Sequence, residues 1–289
     1  MDLPGLEQID SGIRASLTRF APAPTGWLHL GHVVNALYVW NAARLTGSRV
    51  VLRIEDHDRT RSRAEYEAAI LDDLDWLGFR PDVHPTECFR AGRCDGRQSD
   101  REAIYREAVA ALVERGVVYG CDCSRRALTA SEAGQTGTER RYPGTCRDRG
   151  LPLAEGYGWR VRLDDSSVAF DDLRLGTQVQ TPSRQSGDVL IRDRHGNWTY
   201  QFAAVVDDMR QGIDLVVRGI DLLDSTGRQI LLARLVGRDA PPRFLHHPLV
   251  MKSAHQKLSK SDRDTGIREL RAAGWTPADV LEEAARRLT

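Results

Sequence analysis

A strand, a loop, a helix and a second strand follow one another near the N-terminus, and this order constrains the fold more than any other feature. Residues 17–20 have the short pattern of a strand, and the next stretch, APAPTG, contains two prolines and a glycine that exclude a helix. Apolar residues recur at helical spacing over 30–45, and Gly47 is placed to cap that helix. Residues 49–56, RVVLRIED, indicate a buried strand ending in acidic residues. The order predicts a βαβ unit with a right-handed crossover in an α/β fold, a Rossmann-like doubly wound parallel sheet whose ligands lie beyond the carboxyl ends of the strands.

The charge balance excludes a strong field over the whole molecule. The chain of 289 residues has 41 basic and 41 acidic side chains, so any contact with RNA must come from a local basic face. No stretch approaches the roughly 20 apolar residues that span a bilayer, and residues 1–20 lack the apolar core of a signal peptide. We therefore expect a cytoplasmic monomer that makes no contact with a membrane.

Changes in periodicity divide the chain into segments. Amphipathic helices are predicted at 64–78 and 101–116, each ending at a glycine. From Val117 the periodicity weakens, and glycine, proline and cysteine become frequent, which predicts a smaller inserted domain. The predicted divisions are the first half of a catalytic domain at 14–116, the insert at 117–190, the second half at 191–240, and a KLSKS loop with short helices at 241–289.

The cysteines indicate a metal site in the insert. There are five, an odd number, in a chain without a secretory signal, and this favours metal or thiol chemistry over a disulfide framework. Cys121 and Cys123 are close in sequence, and Cys146 follows in YPGTC. Three thiolates and a fourth ligand form a tetrahedral zinc site, which would hold together an insert too small and polar to fold by burial alone.

The spacing of the residues does not identify the fourth ligand of that site. Cys94 or His84 could supply it. Otherwise Cys88 and Cys94 are expected to be ordinary thiols. The alternative interpretation is that the cysteines stay reduced and bind no metal.

A candidate phosphate site lies at the start of the first predicted helix, in the tetrapeptide HLGH. The unpaired N–H groups and the dipole of a helix start favour an anion, and the imidazoles of His29 and His32 can donate hydrogen bonds to phosphate oxygens. Gly31 has no side chain, so a nucleotide could lie against the backbone. Two solvated histidines are the alternative interpretation.

A second motif, KLSKS near the C-terminus, favours the phosphate site over the interpretation as two solvated histidines. Lys257 and Lys260, three residues apart in a polar loop, suit the neutralisation of charge on a phosphate during displacement. With HLGH at one end and KLSKS at the other, the chain resembles the class I aminoacyl-tRNA synthetases, whose two signatures these are. The resemblance implies ATP and Mg²⁺ as partners, catalytic roles for His29, His32, Lys257 and Lys260, and ATP binding by His29, Gly31, His32 and Lys260.

Flanking motifs narrow the resemblance to the glutamyl-tRNA synthetase family. The stretches RFAPAPTGWLHLGH, LRIEDHDRTRS, VVRGIDLLDST and KLSKS occur in that family's order over most of Thr18 to Ser261. Only 28 residues follow Ser261, so we expect no anticodon-binding domain. The shortened form resembles the members that attach glutamate to queuosine, the modified wobble base of tRNA(Asp). Those members imply a zinc set of Cys121, Cys123, Tyr142 and Cys146.

The amino-acid pocket can be argued from charge. Glutamate needs cations for two carboxylates and an anion for its ammonium group, and Arg19, Arg218 and Glu55 meet those needs. The resemblance implies that L-glutamate is bound by Arg19, Phe20, Ala21, Pro22, Ala23, Glu55, Tyr200 and Arg218. The alternative is that Arg19 and Glu55 form a structural ion pair and Tyr200 is a core ring.

Two residues depart from the family pattern. The family commonly has serine where this chain has Ala23, which removes a hydroxyl that could touch substrate, while backbone contacts there can survive. His57 stands where threonine is usual, at the border of the site.

The implied reaction requires no enzyme nucleophile. The α-carboxylate of glutamate attacks the α-phosphorus of ATP, and pyrophosphate leaves. A hydroxyl of the queuosine ring then attacks the carbonyl of the adenylate. The tasks of the protein are therefore to position the substrates and to neutralise the charge that develops on the phosphates. Three alternatives stay open: a minimal synthetase charging a tRNA 3′ end, a nucleotidyltransferase with a small-molecule acceptor, and a non-catalytic tRNA-binding paralogue. The last is disfavoured because both signature histidines and both lysines are present.

Overall fold

The computed structural model describes residues 3–10, 12–124, 141–253, 256–257 and 266–288, with the backbone alone at 251–253 and 256–257. The strands are β1 Leu17–Phe20, β2 Arg49–Leu52, β3 Val118–Cys121, β4 Gly158–Val161, β5 Val168–Asp172, β6 Gly176–Gln180, β7 Val189–Arg192, β8 Leu215–Gly219, β9 Arg243–His247, β10 Met251–Ser253 and β11 Gln256–Lys257. The helices are α1 Leu30–Thr46, α2 Ala64–Leu77, α3 Thr86–Arg90, α4 Glu102–Glu114, α5 Pro182–Gln185, α6 Tyr200–Arg210, α7 Thr226–Leu235, α8 Ile267–Ala272 and α9 Pro277–Arg286.

The predicted βαβ unit is confirmed. Strands β1 and β2 pair in parallel, with Leu17 opposite Arg49, and α1 connects them. The helix ends where predicted, since Gly47 adopts a left-handed φ of 75° as its C-cap. Side chains such as Tyr38 and Val39 are fully buried because the helix is covered by the sheet on one side and by α9 on another. Burial of each large apolar side chain contributes about 1.5–3 kcal/mol to folding.

The second half of the chain extends the parallel sheet. Strands β8 and β9 pair in parallel, and β5 joins β9 in parallel where Asp172 lies opposite Phe244. Strand β6 then adds an antiparallel edge. The two groups of strands meet where β1 approaches β8, through a hydrogen bond from the Asp214 N–H to the Leu17 carbonyl. This confirms the predicted α/β class and brings the carboxyl ends of β1, β8 and β9 to one crevice.

The inserted segment contains a small antiparallel sheet of its own. Strands β3, β4 and β7 pair in that order, and a separate buried cluster of Tyr119, Cys121, Tyr142 and Cys146 lies beside them. Strand pairing crosses the predicted division at residue 190, because β7 spans it and β5 reaches β9 in the catalytic sheet. The domain limits therefore stay predictions.

The remaining predicted helices are present. Both α2 and α4 are followed by left-handed glycines, Gly78 and Gly116, and the expected helices after residue 200 are α6 and α7. Within the described ranges, no helix combines the length and apolar character needed to cross a bilayer.

Candidate active site

A fully buried arginine that sequence reasoning missed organises one side of the crevice. Arg53 directly follows β2, and its guanidinium lies 3.0 Å from Glu55 Oε1, 2.7 Å from Asp208 Oδ1 and 3.9 Å from Asp207 Oδ2. Burial acts to lower the pKa of Arg53, but the three carboxylates hold it well above the ordinary value. Glu55 is thus fixed at the strand end by a partner two residues before it.

Arg19 reaches the same group of carboxylates from β1. Its Nε lies 3.3 Å from Asp208 Oδ1, and one terminal nitrogen donates to the Val217 carbonyl at 3.1 Å. The side chain is 5% exposed. The structural alternative of an Arg19–Glu55 pair is not what the described residues form, because Glu55 pairs with Arg53.

Arg218, at the end of β8, is buried in a different environment. Its guanidinium donates to His246 Nε2 at 3.0 Å, to Gln229 Oε1 at 2.6 Å and to Thr226 Oγ1 at 2.8 Å, all neutral acceptors. Burial lowers the pKa of Arg218, and the nearby charge of Arg19 lowers it further, while Tyr200 and Asp208 oppose the shift. Within the described ranges no carboxylate forms an ion pair with this guanidinium.

A histidine and an aspartate that sequence reasoning also missed orient Arg218. His246 Nδ1 donates to Asp172 Oδ2 at 2.6 Å, so Nε2 is left as the acceptor for Arg218. Burial lowers the pKa of His246, which keeps the ring neutral as this arrangement requires. Burial acts to raise the pKa of Asp172, but the hydrogen bonds from His246 and two backbone amides hold it below its ordinary value.

The predicted glutamate-binding stretch from Phe20 to Ala23 is held by its backbone. The Phe20 carbonyl accepts from the Arg53 N–H, and the Pro22 carbonyl accepts from the Glu55 N–H, both at 3.0 Å. The Ala23 carbonyl accepts from the amide of Thr25 at 2.8 Å. These contacts do not use the side chain of residue 23, so the path of the loop does not depend on a hydroxyl there. Ala21 lies within this stretch.

The departure at His57 has a structural explanation. His57 Nδ1 donates to Gln98 Oε1 at 2.7 Å, and Gln98 Nε2 donates to Asp207 Oδ2 at 2.8 Å. The imidazole also lies 6.3 Å from the Tyr200 ring, centroid to centroid. His57 therefore connects a buried hydrogen-bond network to a predicted glutamate-binding residue.

The two signature histidines share one helix start. His29 is the N-cap of α1: its Nδ1 accepts from the Gly31 amide, and His32 Nδ1 accepts from the His29 amide, each at 3.1 Å. Because both Nδ1 atoms are acceptors, the rings carry their protons on Nε2. A Cβ at Gly31 would come within 2.9 Å of the His29 ring, so glycine lets this imidazole cap the helix.

Most of the KLSKS motif lies outside the described residues. Lys257 is described only by its backbone, in β11, and Lys260 is not described. Gly266 pairs with His29 as a β-bridge, and the Ile267 amide donates to the Leu28 carbonyl at 2.9 Å.

The predicted zinc ligands come together in the insert. The sulfur atoms of Cys121, Cys123 and Cys146 lie within 4.8 Å of one another, and Cys123 Sγ is 3.5 Å from Cys146 Sγ. Tyr142 Oη lies 3.6 Å from Cys121 Sγ. Tetrahedral zinc with bonds of about 2.3 Å places sulfurs about 3.8 Å apart. The four side chains therefore fit a zinc ion.

Arg160 stabilises the thiolate form of Cys121. Its Nε donates to Cys121 Sγ at 3.4 Å, and its guanidinium lies 3.6 Å from the centroid of the Tyr142 ring. Burial acts to raise the pKa of Cys121, but hydrogen bonds from Tyr142 and Arg160 hold it below its ordinary value.

The alternative fourth ligands lie elsewhere, and one expectation about the cysteines is wrong. Cys88 and Cys94 are not free thiols; they form a disulfide with Cα atoms 5.7 Å apart. His84 groups with this pair and not with Cys121, Cys123 and Cys146. The two positions are only six residues apart, but sequence spacing does not show that the loop between them folds back on itself.

Comparison with known proteins identifies the family. The model for the catalytic domain of class I tRNA synthetases (E and Q) matches residues 16–288. The Glutamyl-Q tRNA(Asp) synthetase of Rhodobacter capsulatus is 38% identical over 91% of this chain and 98% of its own length, and that of Cupriavidus metallidurans is 42% identical over 93% and 83%. The Glutamate--tRNA ligase of Frankia casuarinae is 37% identical over 90% of this chain and 53% of its own length.

Solved structures agree with this assignment. A glutamate tRNA ligase from Elizabethkingia meningosepticum, in complex with its amino acid, has a TM-score of 0.70 at 30% identity; the match covers 86% of this chain and 52% of that one. Methionyl-tRNA synthetase from Mycobacterium tuberculosis shares the fold, with a TM-score of 0.57 at 14% identity. The predicted resemblance is confirmed, and the chain belongs to the class I tRNA synthetases for glutamate and glutamine.

Proposed function

We propose that this chain activates L-glutamate with ATP and Mg²⁺ as glutamyl-adenylate and transfers the glutamyl group to queuosine at the wobble position of tRNA(Asp). The acceptor is proposed from the relatives named Glutamyl-Q tRNA(Asp) synthetase, one of which this chain covers over 98% of its length. The activation step is proposed from the family and from the charges of the crevice.

The observation that carries the choice of amino acid is the buried guanidinium of Arg218. A buried cation costs free energy unless an anion or strong acceptors compensate it, and the three acceptors here are neutral. A carboxylate entering the crevice would form charge-assisted hydrogen bonds with it and relieve that cost. The γ-carboxylate of glutamate suits this role, and glutamine, which is neutral, does not.

The other residues divide the remaining tasks. Glu55, already fixed by Arg53, would hold the ammonium group of glutamate, and Arg19 would approach the α-carboxylate. The Nε2–H groups of His29 and His32 would donate to the phosphates of ATP, with Lys260 and Mg²⁺ neutralising the departing pyrophosphate. Tyr200 would lie against the bound amino acid.

The cysteine cluster would have a structural role. Cys121, Cys123, Tyr142 and Cys146 would hold Zn²⁺, which neutralises the thiolates and ties β3 to the turn at 142–146. The cluster provides no acid, base or nucleophile for the reaction. The bound metal would keep the small sheet of the insert folded.

A second function is favoured by other relatives. The Frankia protein, 37% identical, is named Glutamate--tRNA ligase. A chain of that kind would charge the 3′ end of tRNA(Glu).

Transfer of labelled glutamate to two purified tRNAs separates the two functions. One tRNA is queuosine-containing tRNA(Asp), and the other is tRNA(Glu); a tRNA(Asp) lacking queuosine is the matched control. The proposal predicts label on queuosine-containing tRNA(Asp) alone, and predicts that removal of the 3′-terminal adenosine, which leaves the queuosine diol intact, does not abolish the transfer. Label on tRNA(Glu) alone would replace the proposal with the charging function.

A further inference from the structure

A second group of metal-binding side chains lies away from the zinc set of the insert. His84, Cys88 and Cys94 place their ligand atoms within 4.8 Å of one another. They come from the segment between α2 and α4, which contains the short helix α3 and runs beside β2. Imidazole and two thiolates are ligands that zinc prefers.

The loop keeps these residues together independently of the disulfide. Arg97 donates to the carbonyls of Phe89 at 3.0 Å and Gly92 at 2.6 Å, and it pairs with Glu67 at 2.6 Å. The Cys94 amide donates to Asp100 Oδ2 at 3.0 Å. Reduction of the disulfide would therefore leave the two sulfurs close.

His84 is held at this point by an unusual backbone. Its φ is 55°, and among the described residues no other non-glycine residue has a positive φ. Such a conformation costs roughly 1–2 kcal/mol in an L-residue and is a recognised sign of function. Gly96 makes room for it, since a Cβ there would come within 3.0 Å of the His84 Cβ. The His84 ring forms no hydrogen bond with any other described residue.

A disulfide uses only Cys88 and Cys94 and does not explain why His84 is held beside them. We propose that the reduced chain binds a divalent transition-metal cation, Zn²⁺ foremost, through His84, Cys88 and Cys94, with the fourth position open to water or another ligand. The disulfide and the metal exclude each other, because each uses both sulfurs. A phosphine reductant and water convert the disulfide to two thiols and a phosphine oxide, and the thiols lose their protons to solvent as the metal binds.

The site would fasten this loop to the strand that leads into the active site. The Leu52 amide donates to the Val83 carbonyl at 3.0 Å, and the Ile54 amide donates to the Gly96 carbonyl at 2.9 Å. Ile54 directly precedes Glu55. A metal bound between these two attachment points would therefore hold the strand end from both sides.

Zinc stoichiometry tests the proposal. The full chain is stripped of metal, reduced with a phosphine, titrated with Zn²⁺ and assayed for bound metal, and the same is done for Cys88→Ser/Cys94→Ser and for His84→Asn, which tolerates the left-handed backbone. We expect the double variant to bind about one equivalent less than the wild type, and His84→Asn to bind the same metal about tenfold more weakly or not at all. Glu87→Gln, an exposed change on α3 next to Cys88, is the matched control and should bind as much zinc as the wild type.

The comparison does not depend on whether the Cys121 set is filled, because that set is the same in every variant. Circular dichroism shows whether each variant folds. Equal zinc content in folded wild type and folded double variant would overturn the proposal, and so would a Cys88–Cys94 disulfide that resists reduction in the native protein.

Discussion

Arg53 and Arg218 are both buried in one crevice, 0% and 4% exposed, yet their surroundings are opposite. Arg53 pairs with carboxylates, whereas Arg218 donates to a histidine, a glutamine and a threonine, and Asp208 acts on it without forming an ion pair. The first arginine is neutralised by the protein, so its charge supports the fold. The second is hydrogen-bonded without being neutralised, so its charge is available to an anion from outside. From this difference we infer a structural role for Arg53 and propose a substrate-binding role for Arg218.

The free energy of unfolding should respond very differently to loss of the two charges, and this is the largest effect we expect. Arg53→Met leaves Glu55 without its cation and removes one of the two cations beside Asp207 and Asp208, and should lower the free energy of unfolding by about 3–5 kcal/mol. Arg218→Met removes a buried charge without orphaning an anion, and should change it by less than about 1 kcal/mol. Denaturant unfolding of both variants measures the contrast. Equal losses would show that both arginines are structural.

The orientation of Arg218 can be tested through His246. His246→Ala removes the acceptor for Arg218 Nε and should raise the KM for glutamate about tenfold, close to 1.4 kcal/mol, with a smaller change in kcat. His246→Gln can still accept from Arg218 and donate to Asp172, and should recover most of the affinity. Glutamate-dependent pyrophosphate exchange gives both constants. A KM unchanged in both variants would remove this role from His246.

The fold was more accessible to sequence reasoning than the site. Local signals sufficed for the βαβ unit, since α1 and its Gly47 cap follow from spacing and from the conformational freedom of glycine. Asp172 and His246 meet only because β5 joins β9 across 74 residues, and nothing in the pattern of either strand indicates that pairing. Arg53 was not predicted for a related reason: it lies in RIED, at the end of a strand, where the sequence indicated only Glu55 as a possible ligand.

The acid stability of the protein should reflect the neutral state of His246. Burial lowers its pKa beneath the ordinary 6.5, and Asp172, Arg218 and Arg19 act on it in the folded state. The unfolded chain then binds the proton more readily, so stability is fully present above about pH 6.5 and is lost as the pH falls towards the folded pKa. His246→Gln should show a shallower decline, by up to about 1.4 kcal/mol per pH unit.

Unfolding free energies measured between pH 7 and 5 test this expectation. His247, whose pKa burial lowers to about 4, contributes a similar slope in both proteins, so only the difference between them reports His246. Parallel slopes for wild type and His246→Gln would contradict a neutral, buried His246.

The smallest effect is expected at His57, at the edge of the hydrogen-bond network formed with Gln98 and Asp207. His57→Thr restores the residue usual in the family and removes the hydrogen bond to Gln98. The change should alter the KM for glutamate by no more than about fivefold, since one hydrogen bond contributes about 1 kcal/mol. Pyrophosphate exchange measures it, with exposed Arg59→Lys as the control. A loss of a hundredfold or more would place His57 in contact with substrate.

The contrast between the two arginines predicts selection of glutamate by charge, and pyrophosphate exchange with glutamate and glutamine tests it most directly. Wild type should prefer glutamate by at least about a hundredfold in kcat/KM, because a charge-assisted bidentate contact is worth roughly 3 kcal/mol. Folded Arg218→Gln should lose most of that preference through a higher KM for glutamate. An unchanged preference in this variant would contradict the assignment of Arg218 as the site of the γ-carboxylate.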